Sequence, residues 1–595
     1  MPNAVSTDPH GEYVRRMDLR RASAAQQDRL DLRVGILRLI VFLAALAVSW
    51  LSLKSALLSG WWLLLPAAVF LCLLQLQDRI RMARGRLERA AAYYSRGIDR
   101  IEGRWQNSGE SGDRFLDRDH PYAEDLDIFG KGSLFQLLCG ARTRAGEETL
   151  ASWLLAPAPA EAILARQEAI EELRDRLDLR EDLAVLGEKG LAGVNPGSLS
   201  AWGGAPPLLV SQRVRIVAAL LSSATTLSLI LWLVRDSGMY VFLLLATVQG
   251  VFSFSVRRSI QQVLEAVERP GQDLELLSMV LSRLERERFT SSRLAALGRE
   301  LTAEGTLPSR QIAGLNRRII MQKQLFRPIA ALLLWNIQMA FAIESWRMKS
   351  GSSVARWLAV CGEMESLCSL AGHAYEHPLD PFPEITAAGP RFEAEEMGHP
   401  LIRENHCVRN DVRLSPDLLV LVVSGSNMSG KSTLLRTVGA NAALGLAGAP
   451  VRARRLTLSP LVVGASVQRK DSLQAGTSRF YAEITRLRQI VDLTAGGTPL
   501  LFLLDELLHG TNSRDRGIGA EAFIRDLVRR GAIGLLTTHD LALAHIAEVL
   551  APRAGNVHFA DAIENGKLVF DYRLRPGIVR RSNALELMRS IGLEV

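Results

Sequence analysis

Between an apolar run, Leu418 to Val423, and a helix-like stretch from Thr433 lie Gly425, Ser426, Asn427, Met428, Ser429, Gly430, Lys431 and Ser432. The two glycines let the backbone curl so that its amide hydrogens converge on one point, where bulkier side chains would obstruct an anion. Lys431 adds a point charge suited to β- and γ-phosphates, and Ser432 puts a hydroxyl where Mg²⁺ takes a ligand. The N-terminus of the following helix turns its positive end to the same anion. A strand, this loop and a helix therefore predict a site for a nucleoside triphosphate, ATP with Mg²⁺, contacted by residues 425–433.

Two further strand-like runs end in reactive groups. Leu500 to Leu504 leads into Asp505 and Glu506. Beside a phosphate loop, the first carboxylate is expected to hold Mg²⁺ together with Ser432, and the second to act as general base on the attacking water. Ile533 to Leu536 leads into Thr537, Thr538, His539 and Asp540. The carboxyl edge of a parallel sheet is its ligand side, so His539 is expected to sense the γ-phosphate. Between these runs, Gln474 to Phe480 forms a small-residue turn that opens a helix containing Glu483. Such a turn is a second anion cradle, serving this subunit's own nucleotide or a partner's; spacing leaves both open.

The elements that must carry these groups are only part of a chain of 595 residues, too long for one core. Its hydrophobic fraction of 48% is concentrated locally. Val34 to Leu53 is apolar except for Arg38, and Trp61 to Gln77 follows after a turn. Ile216 to Val234 and Met239 to Phe254 form a second pair around Arg235 to Gly238. Each run approaches or reaches the length needed to cross hydrocarbon, and none shows the polar face of a buried globular helix, so two membrane hairpins are expected. A signal peptide accounts less well for the first, because a second span follows at once.

Arginines set the orientation. Arg15, Arg16, Arg20, Arg21, Arg29 and Arg33 precede the first run, Arg79, Arg81, Arg84, Arg86 and Arg89 follow the second, and only Lys54 lies between. Arg213 and Arg215, then Arg257 and Arg258, repeat the pattern. The positive-inside bias then leaves both termini and the nucleotide site in the cytoplasm of a multi-pass inner-membrane protein. The net charge of +8 lies largely beside these runs, which fits topology and anionic lipid. Eight arginines from Arg79 to Arg104, against Glu88, Asp99 and Glu102, leave a DNA or lipid contact open. The five cysteines form neither metal-type pairs nor a disulfide framework. His373, Glu376 and His377 have inverted zinc-protease spacing, but Pro378 ends the helix and no third ligand is evident, so a solvated helix end is expected.

Taken together, Gly398 to Leu593 resembles the ATPase domain of the MutS family, an ABC-type ATPase. The resemblance rests on Gly398-His399-Pro400, Ser426-Asn427-Met428 within the loop, Val463 to Ser466, Asp505-Glu506 with Gly510-Thr511-Asn512, and Thr537-Thr538-His539. It implies that Ser478 reaches the partner subunit's γ-phosphate, so that the protein is a homodimer with composite ATP sites, and that Asn427 also touches the γ-phosphate. Cys407 stands where the family's loop often stacks an aromatic ring on adenine. Upstream, Leu126 to Gly130, Gly132 to Leu134, Thr143 to Gly146 and Trp153 to Pro157 resemble the start of the MutS core, and Leu274 to Glu384 its lever helices.

Departures from the family go beyond Cys407. Where repair members carry a mismatch-reading domain with a Phe-x-Glu wedge, this sequence has a membrane hairpin, and its second hairpin occupies the place of the lever and DNA clamp. Neither a dimerising extension nor a nuclease domain is expected after Asn583 to Met588. The organisation expected is a basic segment and hairpin (1–120), a first core part (121–205), a second hairpin (206–260), a lever-like helical region (261–390) and an α/β P-loop ATPase domain (391–595). The function expected is a membrane-anchored, MutS-like, Mg²⁺-dependent ATPase, with DNA binding open; the alternative is an ATPase subunit of a membrane complex or transporter without a nucleic-acid role.

Overall fold

The computed structural model describes residues 8–54, 60–186, 195–209, 211–235, 238–302, 305–324, 326–426, 428–467, 479–508, 512–564 and 567–579. Among the described residues the chain is all-helical to Glu376 and mixed α/β beyond it. It divides into two compact units, one of residues 1–140, 150–185 and 367–595, the other of residues 141–149 and 186–366.

In the first unit the strands are β1 (Glu384–Ile385), β2 (Phe392–Met397), β3 (Asn410–Leu414), β4 (Val420–Ser424), β5 (Arg455–Leu458), β6 (Val462–Ser466), β7 (Leu500–Asp505), β8 (Ile533–Thr538), β9 (Ala554–Glu564) and β10 (Lys567–Pro576). A six-stranded sheet runs β10-β9-β4-β8-β7-β6, parallel except for the β9–β10 hairpin. Its central strands are buried along almost their whole length, as the unbroken apolar runs of β4, β7 and β8 require of a covered parallel sheet. Pairing Asp505 with Thr537 and Ser424 with Thr538 brings the carboxyl ends of β4, β7 and β8 into line. A four-stranded sheet, β1-β5-β2-β3, accompanies it, and its short strands carry no signal that the sequence analysis used.

The helix Lys431–Ala447 packs on β6, β7 and β8 and on the helix Ala160–Arg174. It is almost wholly buried, which its Ala, Gly and Leu content permits by letting neighbours approach from all sides. A Cβ on Gly439 would lie 2.5 Å from Leu126 Cδ1 and 2.9 Å from Leu503 Cδ1.

Among the described residues, four helices are long and apolar enough, by length and composition, to cross a membrane; they contain the four predicted runs. The first two, Pro9–Lys54 and Leu64–Ile101, pack against each other as a hairpin. At about 1.5 Å per residue they measure roughly 69 and 57 Å, about twice a bilayer's hydrocarbon. The half bearing the apolar runs leaves Leu39, Leu43, Trp50, Trp61 and Leu65 exposed. Arg38 Nη1 donates to the buried Gln77 Oε1 at 2.7 Å, so this charge has a partner within the hairpin.

The other half is a polar stalk docked on its own unit. Tyr13, Tyr94, Ile98, Leu177 and Tyr375 form one buried cluster, with the Tyr13 and Tyr375 rings stacked at 5.4 Å. Arg16 pairs with Asp178, Arg20 with Glu181, Arg84 with Asp28 and Glu88, and Arg86 with Asp182. Arg100 grips Glu376 through both Nε (2.7 Å) and Nη2 (2.5 Å). Many of the arginines that left a polyanion contact open thus have acidic partners within the protein.

The helix Ser353–Glu376 ends where Pro378 predicts, but its end is not solvated. His373 and Glu376 are buried, and Glu376 is engaged by Arg100 and by the Tyr13 hydroxyl at 3.3 Å. Burial, reinforced by His377, pushes the His373 pKa well below the ordinary histidine value. The sequence alone did not reveal the stalk that covers this end. Among the described residues no cluster of three His, Cys, Asp or Glu side chains could hold a metal ion.

Gly439→Leu is expected to destabilise the first unit by about 1–3 kcal/mol through overpacking between Leu126 and Leu503. Thermal unfolding of the detergent-solubilised chain would read this as a lowered Tm.

Candidate active site

The residues singled out as chemically reactive meet at the carboxyl edge of the six-stranded sheet. A cleft of about 770 Å³ is lined by Met428, Gly430, Lys431, Ser432 and Thr433 from the loop and helix, and by Asp505 and Glu506 from the end of β7. His399, His406, Cys407 and Val408 line it from the segment before β3, and Phe559 and Tyr572 from the β9–β10 hairpin.

The loop is shaped for close approach. A Cβ on Gly425 would lie 2.8 Å from Ser429 Oγ and 3.3 Å from the Phe559 carbonyl oxygen. Gly430 has φ +103°, a left-handed conformation that glycine adopts without penalty, and it starts the helix without a side-chain cap. That helix N-terminus therefore has amide hydrogens without a capping side chain. The Ser426 and Ser429 hydroxyls are buried without a hydrogen-bond partner. Lys431 is buried, and its Nζ donates to the carbonyls of Gly425 (2.9 Å) and Ser426 (2.8 Å), which holds the ammonium under the loop. An uncapped helix start over a buried ammonium fits an anion in the cleft.

Asp505 is held from two sides. Ser432 Oγ donates to its Oδ2 at 2.6 Å, and Thr537 Oγ1 donates to its Oδ1. One hydroxyl and one carboxylate side by side suit Mg²⁺, which takes few protein ligands and completes its octahedron with phosphate and water. The next residue, Glu506, is 8% exposed and has φ +51°, a strained backbone for a residue with a side chain. Its amide donates to the Thr537 carbonyl at 3.2 Å, and Glu483 Oε1 accepts from the Leu508 amide at 2.5 Å. His539 Nδ1 lies 3.0 Å from Glu506 Oε1.

Lys431, Ser432, Asp505, Glu506 and His539 are thus brought together, with Gly425, Ser426, Met428, Ser429, Gly430 and Thr433 forming the loop and helix start. Asn427 and Ser478 lie outside the described residues, as do Gly476, Thr477, Gly510 and Thr511.

Other contributors carried weaker signals or none. The ring of Tyr572 would contact a Cβ on Gly430 at 3.2 Å. Asn410 fixes its backbone, donating to the Tyr572 carbonyl at 3.0 Å and accepting from the Leu574 amide at 2.7 Å. Tyr572 thus brings an aromatic ring to the cleft that Cys407 does not supply; the apolar–polar alternation from Phe570 to Arg575 was the available strand signal. Asp125 accepts from the Val467 amide at 2.7 Å and pairs with Arg486 at 2.8 Å, tying residues before the loop to β6 and the helix Arg479–Asp492. No local pattern marks it.

His399 is buried in the cleft wall, and its Nδ1 accepts from the Leu401 amide at 3.2 Å. Burial, with Arg436 adding repulsion, pushes its pKa down to about 4. The adjacent Gly398 is anchored to the buried Asn441, whose Nδ2 donates to the Gly398 carbonyl at 3.0 Å.

Comparison with known proteins bears on these elements. The family model for MutS domain V matches residues 421–594. The comparisons support the MutS family. A DNA mismatch repair protein MutS of Natronomonas pharaonis is 34% identical over 238 residues, 39% of this chain and 27% of the relative. An endonuclease MutS2 of Thermus thermophilus is 32% identical over 215 residues, 35% of this chain and 27% of the relative. A DNA mismatch repair protein MutS of Myxococcus xanthus is 28% identical over 531 residues, 78% of this chain and 56% of the relative. The chain thus spans about a quarter of the first two relatives and just over half of the third.

A folded-state pKa below the ordinary histidine value means that the unfolded chain binds the proton first. The contribution of neutral His399 is therefore full above about pH 6.5 and is lost as pH falls toward 4. Relative to His399→Asn, the native protein should lose roughly 3 kcal/mol of stability across that window. Parallel unfolding curves at each pH would contradict this.

Proposed function

We propose that this chain is a membrane-anchored, MutS-like ATPase with a P-loop nucleotide domain, binding and hydrolysing ATP at the cleft beneath residues 425–433. The observation that carries the reading is the convergence of Lys431, Ser432, Asp505, Glu506 and His539 on one sheet edge. Lys431 exchanges its loop carbonyls for β- and γ-phosphate oxygens. Ser432 and Asp505 would hold Mg²⁺, which when bound neutralises charge on those phosphates. Glu506 takes a proton from the attacking water, its carboxylate aimed by the strained backbone and by His539. If His539 donates to Glu506 through Nδ1 and to a γ-phosphate oxygen through Nε2, it must carry both protons.

Family resemblance assigns Asn427 and Ser478 to the γ-phosphate, Ser478 across a homodimer, giving composite sites. The four long apolar helices support two membrane hairpins, with the nucleotide domain in the cytoplasm and lipid as the surrounding partner. The proposed division of the sequence is 1–120, 121–205, 206–260, 261–390 and 391–595, as expected above. The names of the relatives suggest DNA as a further ligand, and through it a role related to mismatch repair.

A second reading, an ATPase subunit of a membrane complex or transporter without nucleic acid, is favoured by the stalk arginines. Arg16, Arg20, Arg84, Arg86 and Arg100 all have acidic partners, which lowers the positive field available to a polyanion. Salt-dependent binding of duplex, junction and mismatched DNA to the solubilised protein, with and without ATP, separates the two readings. Binding that weakens with salt supports the first; none at low salt supports the second.

For the ATPase itself, Lys431→Ala should abolish nucleotide binding or turnover. Glu506→Gln should retain ATP and accumulate a nucleotide-bound dimer with turnover lowered by about 10²–10⁴-fold. Phosphate release and size-exclusion chromatography read these outcomes, and unchanged turnover in both variants would refute the ATPase assignment.

A further inference from the structure

The second unit contains an apolar element that its broken helix conceals. Pro328 to Ile343 is a run without a charged residue, yet it falls on two helices, Arg327–Leu332 and Trp335–Ser350. Neither helix is long enough on its own to look like a membrane span.

The break is a built feature. Leu334 adopts φ +47°, which is unfavourable for a side-chain-bearing residue, and is buried. Gln249 Nε2, from the helix Met239–Ala266, donates to the carbonyls of Ala331 at 2.8 Å and Leu332 at 2.9 Å. Gln249 lies ten residues after Met239 and eight before Arg257, so about 15 Å and 12 Å of helix separate it from the ends of that apolar run. A buried amide at that level, bonded to two carbonyls at a helix break, meets the requirement that hydrocarbon imposes on irregular backbone.

The chain enters and leaves this break as an antiparallel pair. Trp335 Nε1 donates to the Met321 carbonyl at 3.3 Å, Arg318 Nη1 to Ala342 at 3.1 Å and Trp346 Nε1 to Gln311 at 3.0 Å. The returning helices pack on Gln212–Arg235, which buries Ala218, Ser222, Thr225 and Ser228. The hydroxyls of Ser222, Thr225 and Ser228 are satisfied by their own helix carbonyls, so small residues allow close packing without stranded polar groups. Around the tip, Ile320, Met321, Phe326 and Ile329 remain 44–68% exposed. Water is a poor medium for that cluster, and acyl chains are a good one.

We propose that Pro328 to Ile343 is a fifth membrane-embedded element, a re-entrant tip that enters from the arginine-rich side, turns at mid-depth against Gln249 and exposes Ile329 to acyl chains. It rests on the reading that Gln212–Arg235 and Met239–Ala266 cross a membrane. The occupant is lipid rather than a protein partner because Ile329 lies on a helix packed against Gln212–Arg235, whose Leu227, Leu231 and Leu233 are themselves exposed.

The test places a photoreactive benzophenone amino acid singly at Ile329, at Leu231 in the preceding helix, and at Ile518, an exposed position in the nucleotide unit. Each full-length variant is reconstituted into phosphatidylethanolamine and phosphatidylglycerol vesicles and irradiated, and lipid adducts are measured by mass spectrometry. Adducts at 329 and 231 at similar yield, and several-fold less at 518, are expected. Adducts at 231 but not at 329 would overturn the re-entrant tip while leaving the hairpin intact. Absence at both would overturn the membrane reading, and the tip with it.

Discussion

The site depends on a single carboxylate. Asp505 accepts from Ser432 at the start of the buried helix and from Thr537 near the end of the neighbouring strand, so three elements distant in sequence are fixed by one side chain. Both bonds are charge-assisted and partly buried, which makes them stronger than neutral ones. They also fix the neighbours of Asp505. Glu506 can hold its left-handed backbone because Thr537 captures its amide, and Glu483 ties down the residues after it. Reactive residues on loops become a site here because a parallel sheet in fixed register brings the strand ends together.

Much of this was legible in the sequence because each local pattern has one dominant physical explanation. The glycine spacing at 425 and 430 fits a backbone that must approach an anion, and the unbroken apolar runs of β4, β7 and β8 fit strands covered on both faces. Asp505, Glu506 and His539 were identified from their places after such runs. The contributions of Tyr572, Asp125 and Asn410 were not, because each depends on an element far away in sequence: a strand hairpin, a helix and the backbone of another strand. The burial of His373 and Glu376 was hidden for the same reason, since the stalk that covers them begins at Pro9. Leu334 escaped notice because no glycine or proline marks the residue at which the helix breaks.

The stalk also corrects a simple reading of charge. Arginine-rich sequence beside apolar runs is a reliable sign of which end stays out of hydrocarbon, but it does not measure the field presented to a ligand. Here Asp178, Glu181, Asp182 and Glu376 are positioned to neutralise those arginines locally. The exposed pairs, such as Arg16–Asp178 and Arg86–Asp182, contribute little stability, roughly 0–1 kcal/mol each. Their effect is on long-range attraction, and the buried tyrosine cluster supplies the docking energy instead.

The length of the first helical pair has a mechanical side. Two antiparallel helices of roughly 57 Å or more, anchored by aromatic packing and ion pairs at one end, form a stiff rod rather than a tether. A tilt of about 10° at the anchored end displaces the far end by roughly 10 Å, the diameter of a helix. The same geometry works in reverse: small forces applied at the far end act on Tyr13, Tyr94 and Arg100 with a long moment arm.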